Sequence, residues 1–313
     1  MNPFSYSNNE PQFNLNLKKT TRKWVHYTVD FPTAHPTQYE ENNTVRGEYF
    51  QPRGAGNAPL AILLHGMGDY SVTPCKFLAR TLVKRGIACF ILYLVFHSSR
   101  MPKVVQDRLP NLTPEEWFDG YRTSVIDVRQ VIDWASDKAE INHEQIAVIG
   151  ISLGGFISSI AMGVDKRIGA GVFLVTGGNS EVITWKSRAD VSRKGLLCTE
   201  AECHRIHEYY PQYLADVTEK GFDNVTPLKQ CFLTDTMTFA HCLQKRPILM
   251  INARWDKYIP KQATLEFWEA SGKPDIVWLP ATHATIWLEY PFIRRKITDF
   301  LKTTFRIQDR HSA

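Results

Sequence analysis

Short apolar strands alternating with amphipathic helices predict an α/β architecture, a mostly parallel sheet with helices on both faces. Two runs carry the strands of that prediction. Leu60-Ala-Ile-Leu-Leu64 and Gln145-Ile-Ala-Val-Ile149 are brief and apolar, as strands in the middle of a parallel sheet are. A third observation carries the helices: from Pro114 to Lys138 the residues Phe118, Tyr121, Val125, Val128, Val131 and Ile132 fall near helical spacing.

Taken in order, residues 1–22 are polar and rich in Asn, and are expected as a loose N-terminal arm. Trp24–Asp30 alternates as a strand does, and Val45–Phe50 is its expected partner, giving an antiparallel edge. Gln51–Pro59 carries Pro, Gly and Asn and reads as a loop before the Leu60–Leu64 strand. A helix over Pro74–Arg85 and a strand over Ile87–Val95 follow, then the long helix, the Gln145–Ile149 strand and a helix over Gly154–Met162. Gly169–Val175, Pro247–Asn252 and Asp275–Leu279 complete the strands, and Tyr290–Phe305 closes the chain as a helix. Between the strands at Val175 and Pro247 lies far more chain than a crossover needs. Residues 178–243 of it, with Trp185, Tyr209, Tyr210, Tyr213 and Phe239, are expected as an inserted helical cap on a core made of 23–177 and 244–313.

The chain has 313 residues, of which 43% are hydrophobic, enough for one large core carrying an insertion. Its net charge of +5 is mild and its basic residues are scattered, which argues against a nucleic-acid partner. The N-terminus has no apolar stretch of the signal-peptide type, and no run reaches the roughly 18 apolar residues of a membrane span. A cytoplasmic protein with no membrane span is therefore expected, its six cysteines reduced. Cys198, Cys203, Cys231 and Cys242 and the histidines near them lack paired metal-ligand spacing, so no metal is expected. A homodimer is compatible with the sequence.

Four segments carry chemistry. Gly150-Ile-Ser152-Leu-Gly154-Gly155 directly follows a buried strand. Ester hydrolysis needs a nucleophile lifted clear of the sheet; a serine on a sharp strand-to-helix turn provides it, and the flanking glycines remove Cβ atoms that would clash. Ser152 is the expected nucleophile. The His65-Gly66-Met67-Gly68-Asp69 segment ends an earlier strand. A tetrahedral intermediate needs two N–H donors, and Leu153 and Met67 are the expected pair, with Gly66 as the alternative to Met67. His65 is expected to brace this loop. Asp256 follows a buried strand and can fix the tautomer of a histidine; Glu181 and Asp235 are its rivals. His283, on the loop after the last strand, can exchange protons with the serine. His97-Ser-Ser-Arg100-Met-Pro102 should border the pocket, either shaping substrate access or serving as a plain polar loop.

With Ser152, Asp256 and His283 in that order, the chain resembles the α/β-hydrolase superfamily over about residues 24–305 apart from the cap, most of all its carboxylesterase and dienelactone-hydrolase-like branches. The resemblance implies acyl transfer to water through an acyl-enzyme on a small-molecule ester, with no cofactor. His-Gly-Met-Gly departs from the His-Gly-Gly-Gly of one lipase branch. A thioesterase, an amidase or peptidase, or a lactonase would use the same triad. A silent binding protein does not require that order, and dehalogenation wants a carboxylate where Ser152 stands.

Overall fold

The computed structural model describes residues 2–7, 11–54, 56–68, 72–188 and 198–307, the side chain of Pro110 apart. Asp69, residues 1 and 8–10 of the expected arm, 189–197 of the expected cap and 308–313 lie outside the described residues.

The strands are β1 (Asn14–Thr20), β2 (Trp24–Pro32), β3 (Thr44–Pro52), β4 (Ala58–Leu64), β5 (Ala88–Leu92), β6 (Ile141–Ile151), β7 (Ile168–Leu174), β8 (Ile248–Ala253) and β9 (Asp275–Leu279). The helices are α1 (Glu40–Asn43), α2 (Val72–Val83), α3 (Lys103–Gln106), α4 (Pro114–Ser136), α5 (Leu153–Val164), α6 (Ser180–Lys186), α7 (Glu200–His207), α8 (Tyr210–Lys220), α9 (Lys261–Ala270) and α10 (Tyr290–Phe305). The strands form one sheet in the order β1-β2-β3-β5-β4-β6-β7-β8-β9. β1, β2, β3 and β5 pair antiparallel in turn, and every pairing from β5 through β4 to β9 is parallel. The α/β-hydrolase fold expected from the sequence is the fold observed.

Alternation along the central strands builds two cores. Leu60, Ile62 and Leu64 face one side with Val128 and Ile160, while Ala61 and Leu63 face the other with Leu78 and Ile297. All seven residues of β4 are buried, because helices cover both faces. α4 begins where its sequence says it should: Thr113 caps it, Pro114 takes the first turn, and Glu116 bonds back to the Thr113 amide.

The chain moves from β4 to β5 on one side and then crosses to β6 on the other side of β4. Such a reversal opens a crevice at the carboxyl ends of the strands, where ligands of α/β proteins bind. The loops after β4 and β6 meet there.

The described residues of the N-terminal segment do not form a loose arm. Asn14–Thr20 is an edge strand paired with β2, Phe4 is fully buried edge-on to Phe239, and Phe13 stacks on Phe31 at 3.8 Å. Every residue of β1 is exposed, although Phe13, Leu15 and Leu17 alternate with Asn14 and Asn16 as the residues of a strand do. Backbone pairing and the two phenylalanine anchors hold it instead.

Between β7 and β8 the described residues form α6, α7, α8 and three short 3₁₀ turns. Tyr210, Tyr213, Val217 and Phe232 make a small core of this insertion's own. Its last turn, Thr236–Leu243, joins the main core through Phe239, Ala240 and Leu243. No helix among the described residues is long and apolar enough to cross a membrane.

Candidate active site

Ser152 is the single residue between β6 and α5, with φ 52° and ψ −116°. A non-glycine residue at positive φ is strained, and surrounding structure must hold it there. Here its amide donates to Leu174 O of β7 at 2.9 Å, and its carbonyl accepts from the Gly155 amide at 2.7 Å. The turn leaves no room for side chains beside it. A Cβ on Gly150 would lie 2.2 Å from Gly154 O, one on Gly154 2.3 Å from Leu64 O, and one on Gly155 1.9 Å from Thr176 Oγ1. The glycines of the motif are thus required by packing as well as by the turn.

Two distant loops converge on this serine. His283 Nε2 lies 2.9 Å from Ser152 Oγ, and His283 Nδ1 lies 2.7 Å from Asp256 Oδ2. Since a carboxylate only accepts, Nδ1 carries the imidazole proton and Nε2 is left to accept from the serine hydroxyl. Asp256 Oδ1 in turn accepts from the amides of Tyr258 (2.8 Å) and Ile259 (3.0 Å). Asp256 is therefore anchored by its own turn, and its side chain is only 6% exposed against 18% for His283. The rival acids are committed elsewhere. Glu181 accepts from His204 at 2.9 Å, and Asp235 accepts from the amides of Asn179, Ser180 and Met237.

The loop after β4 borders the serine from the other side, a Cβ on Gly66 falling 3.4 Å from Ser152 Cβ. His65 is fully buried. Its Nε2 accepts from the Leu94 amide at 3.1 Å, so Nδ1 bears the proton and donates to Gly66 O at 2.7 Å. Burial, with His97 nearby, holds the imidazole neutral, its pKa lowered to about 3. The described chain has no cis peptide, so the Met67 N–H points opposite to the Gly66 carbonyl that His65 grips. His65 thereby sets the orientation of that amide, and Met67 is 43% exposed. Leu153 opens α5, where its amide has no partner within the helix.

The His97–Pro102 segment divides between the two roles expected of it. Phe96 and Ser98 adopt positive φ, and His97 lines a cavity of about 20 Å³ with Phe96, Leu112, Trp117, Leu153 and Ile157. Arg100, by contrast, is wholly buried. It pairs with Asp127 at 2.8 Å and donates to Tyr93 O and Asn42 O, while Asn42 Oδ1 accepts from the Phe96 amide. Burial raises the Asp127 carboxyl against the pull of Arg100. This pair is scaffold for the loop that walls the cavity, and Asp127 and Asn42, far from Arg100 along the chain, carried no motif to reveal it.

The Cys and His residues of the insertion do not assemble: among the described residues no group of three His, Cys, Asp or Glu side chains is placed to hold a metal ion. His207 Nδ1 bonds Cys203 O at 2.9 Å, and all six cysteines are free.

No curated protein matches the chain in sequence. Solved structures of similar fold include acetyl xylan esterase from Paenibacillus sp. R4, with a TM-score of 0.68 and 16% identity over 94% of this chain and 89% of that one. Another is the α/β hydrolase GrgF from Penicillium sp. sh18, with a TM-score of 0.60 and 16% identity over 89% and 98%. A third is a cold-adapted esterase from an Arctic intertidal metagenomic library, with a TM-score of 0.58 and 17% identity over 95% and 100%. At such identities the likeness is one of fold. Residues 27–184, half of the chain, match a family of their own within the α/β hydrolases, and the chain belongs to that family, alpha/beta hydrolase domain containing 18.

Proposed function

We propose that this α/β hydrolase cleaves carboxylic esters of small or medium acyl chain through an acyl-enzyme on Ser152. The observation that carries the reading is the continuous hydrogen-bonded chain Ser152 Oγ–His283–Asp256 at 2.9 and 2.7 Å, with the serine held at φ 52°. In the first step His283 takes the Ser152 proton as Oγ attacks the carbonyl, and Asp256 keeps the imidazole in its tautomer and offsets its new charge. The amides of Leu153 and Met67 receive the oxyanion, helped by the positive end of α5. His283 then passes its proton to the leaving alcohol and activates water to release the acid.

Two features bear on the substrate. The cavity beside Leu153 is apolar and, at about 20 Å³, holds little more than one water-sized group, which favours a short acyl end there. The 178–243 insertion is a cap in this reading: Val182 of α6 packs with Ile259, three residues past Asp256, beside Phe156 of α5. The leaving alcohol would then lie between that wall and the exposed Trp255.

The test is to compare turnover of p-nitrophenyl esters of two to ten carbons with matched thioesters and anilides. Ester hydrolysis that is fastest at short chains and outpaces the other two classes is expected. Anilide or thioester turnover exceeding that of every ester would move the function to an amidase or thioesterase on the same residues.

A further inference from the structure

We propose that Tyr258 is a positioning residue of this reaction, its ring held against His283 to steady the imidazolium that forms as Ser152 attacks. The inference rests on the reading of Ser152 as nucleophile and His283 as base. The phenol and imidazole centroids are 5.0 Å apart with their planes inclined at 53°. The placement is enforced from below, since the Tyr258 amide donates to Asp256 Oδ1 at 2.8 Å in the turn that anchors the carboxylate. One short turn thus sets two things on the same imidazole: the acceptor at Nδ1 and an aromatic ring beside it. Tyr258 is 45% exposed.

The charge balance explains why a ring belongs there. As the Ser152 Oγ–carbon bond forms, the carbonyl π pair moves to oxygen and the hydroxyl proton passes to Nε2. The imidazole is neutral before this step and cationic after it. Of the groups it meets, the Asp256 carboxylate and the Tyr258 ring favour the cation, and the Ser152 oxygen is the proton source. A cation over the face of an aromatic ring, within about 6 Å of its centroid, is stabilised by the electron-rich π system, and the benefit falls on the charged state alone. An interaction present only in the transition state acts on kcat and leaves KM in place.

The experiment separates ring from bulk. Tyr258→Phe keeps the ring, Tyr258→Leu keeps an apolar side chain of moderate size without it, and both retain the backbone N–H that holds Asp256. With p-nitrophenyl acetate, Tyr258→Phe should stay within about twofold of the wild-type kcat. Tyr258→Leu should lose roughly two- to fivefold in kcat at unchanged KM and unchanged Tm. Equal kcat values in the two variants, or a loss confined to KM, would overturn the proposal. Failure of the underlying reading looks different: the wild type itself would then show neither ester turnover nor a fluorophosphonate adduct on Ser152.

Discussion

Asp256 and Asp235 begin alike. Each is buried or nearly so, and each accepts two or more backbone amides at the start of a turn. They differ in what is left over. Asp235 spends Oδ1 on the amides of Asn179 and Met237 and Oδ2 on that of Ser180, so both oxygens tie the insertion to itself. Asp256 spends only Oδ1 on its turn and offers Oδ2 to His283. The same contrast holds for the wider regions. The insertion gathers many Cys and His side chains yet commits them locally, His204 to Glu181 and His207 to Cys203 O. The core brings just three side chains together, from loops after β6, β8 and β9, and leaves each a free direction toward the next. Chemistry follows from the topology that makes residues converge at the switch between β4 and β6, and composition alone does not supply it.

One substitution applied to both aspartates tests this contrast. Asp256→Asn should lower kcat by about a thousandfold or more, with Tm little changed, because the amide cannot hold Nδ1–H toward it. Asp235→Asn should leave kcat per folded molecule within about twofold and cost about 1–3 kcal/mol of stability, since an NH₂ then faces a backbone N–H. Kinetics and urea titrations on the two variants check both statements. A large loss of kcat at Asp235, or none at Asp256, would break the comparison.

A smaller effect sharpens the view of the oxyanion side. The folded His65 pKa is depressed from 6.5 to about 3, so the unfolded chain binds a proton that the folded one refuses. Its contribution to stability is complete above about pH 6.5 and is lost as pH falls toward 3. Between pH 6.5 and 4.5 the wild type should lose stability more steeply than His65→Asn, by up to about 1.4 kcal/mol per pH unit. Parallel slopes in denaturant titrations would mean that His65 is not held neutral.

How much of this was readable from the residues depends on what kind of constraint wrote them. The strand-to-helix turn at Ser152 was legible because sterics leave no choice: Gly150, Gly154 and Gly155 each meet backbone or Thr176 within 2.3 Å of a would-be Cβ. The long helix declared itself through Thr113 and Pro114, and the buried strands through unbroken apolar runs. Asp256 and His283 were singled out by their place after strands and their order along the chain. β1 was missed although Phe13, Leu15 and Leu17 alternate with Asn14 and Asn16, because the run is short, set among polar residues and followed by Lys18 and Lys19. Two features gave no such sign. Arg100, Asp127 and Asn42 meet across long separations, and each alone reads as an ordinary polar residue. Tyr258 belongs to His283 only through the path of one turn, which no spacing encodes.

The central claim is that Ser152 is a nucleophile primed by His283. Its most direct measurement is mass mapping of the chain after treatment with a fluorophosphonate, on the wild type and on Ser152→Ala. A single adduct on the peptide containing Ser152, absent from a Ser152→Ala protein of unchanged Tm, is the expected result. An adduct that persists in Ser152→Ala, or a wild type that takes none, would contradict the assignment.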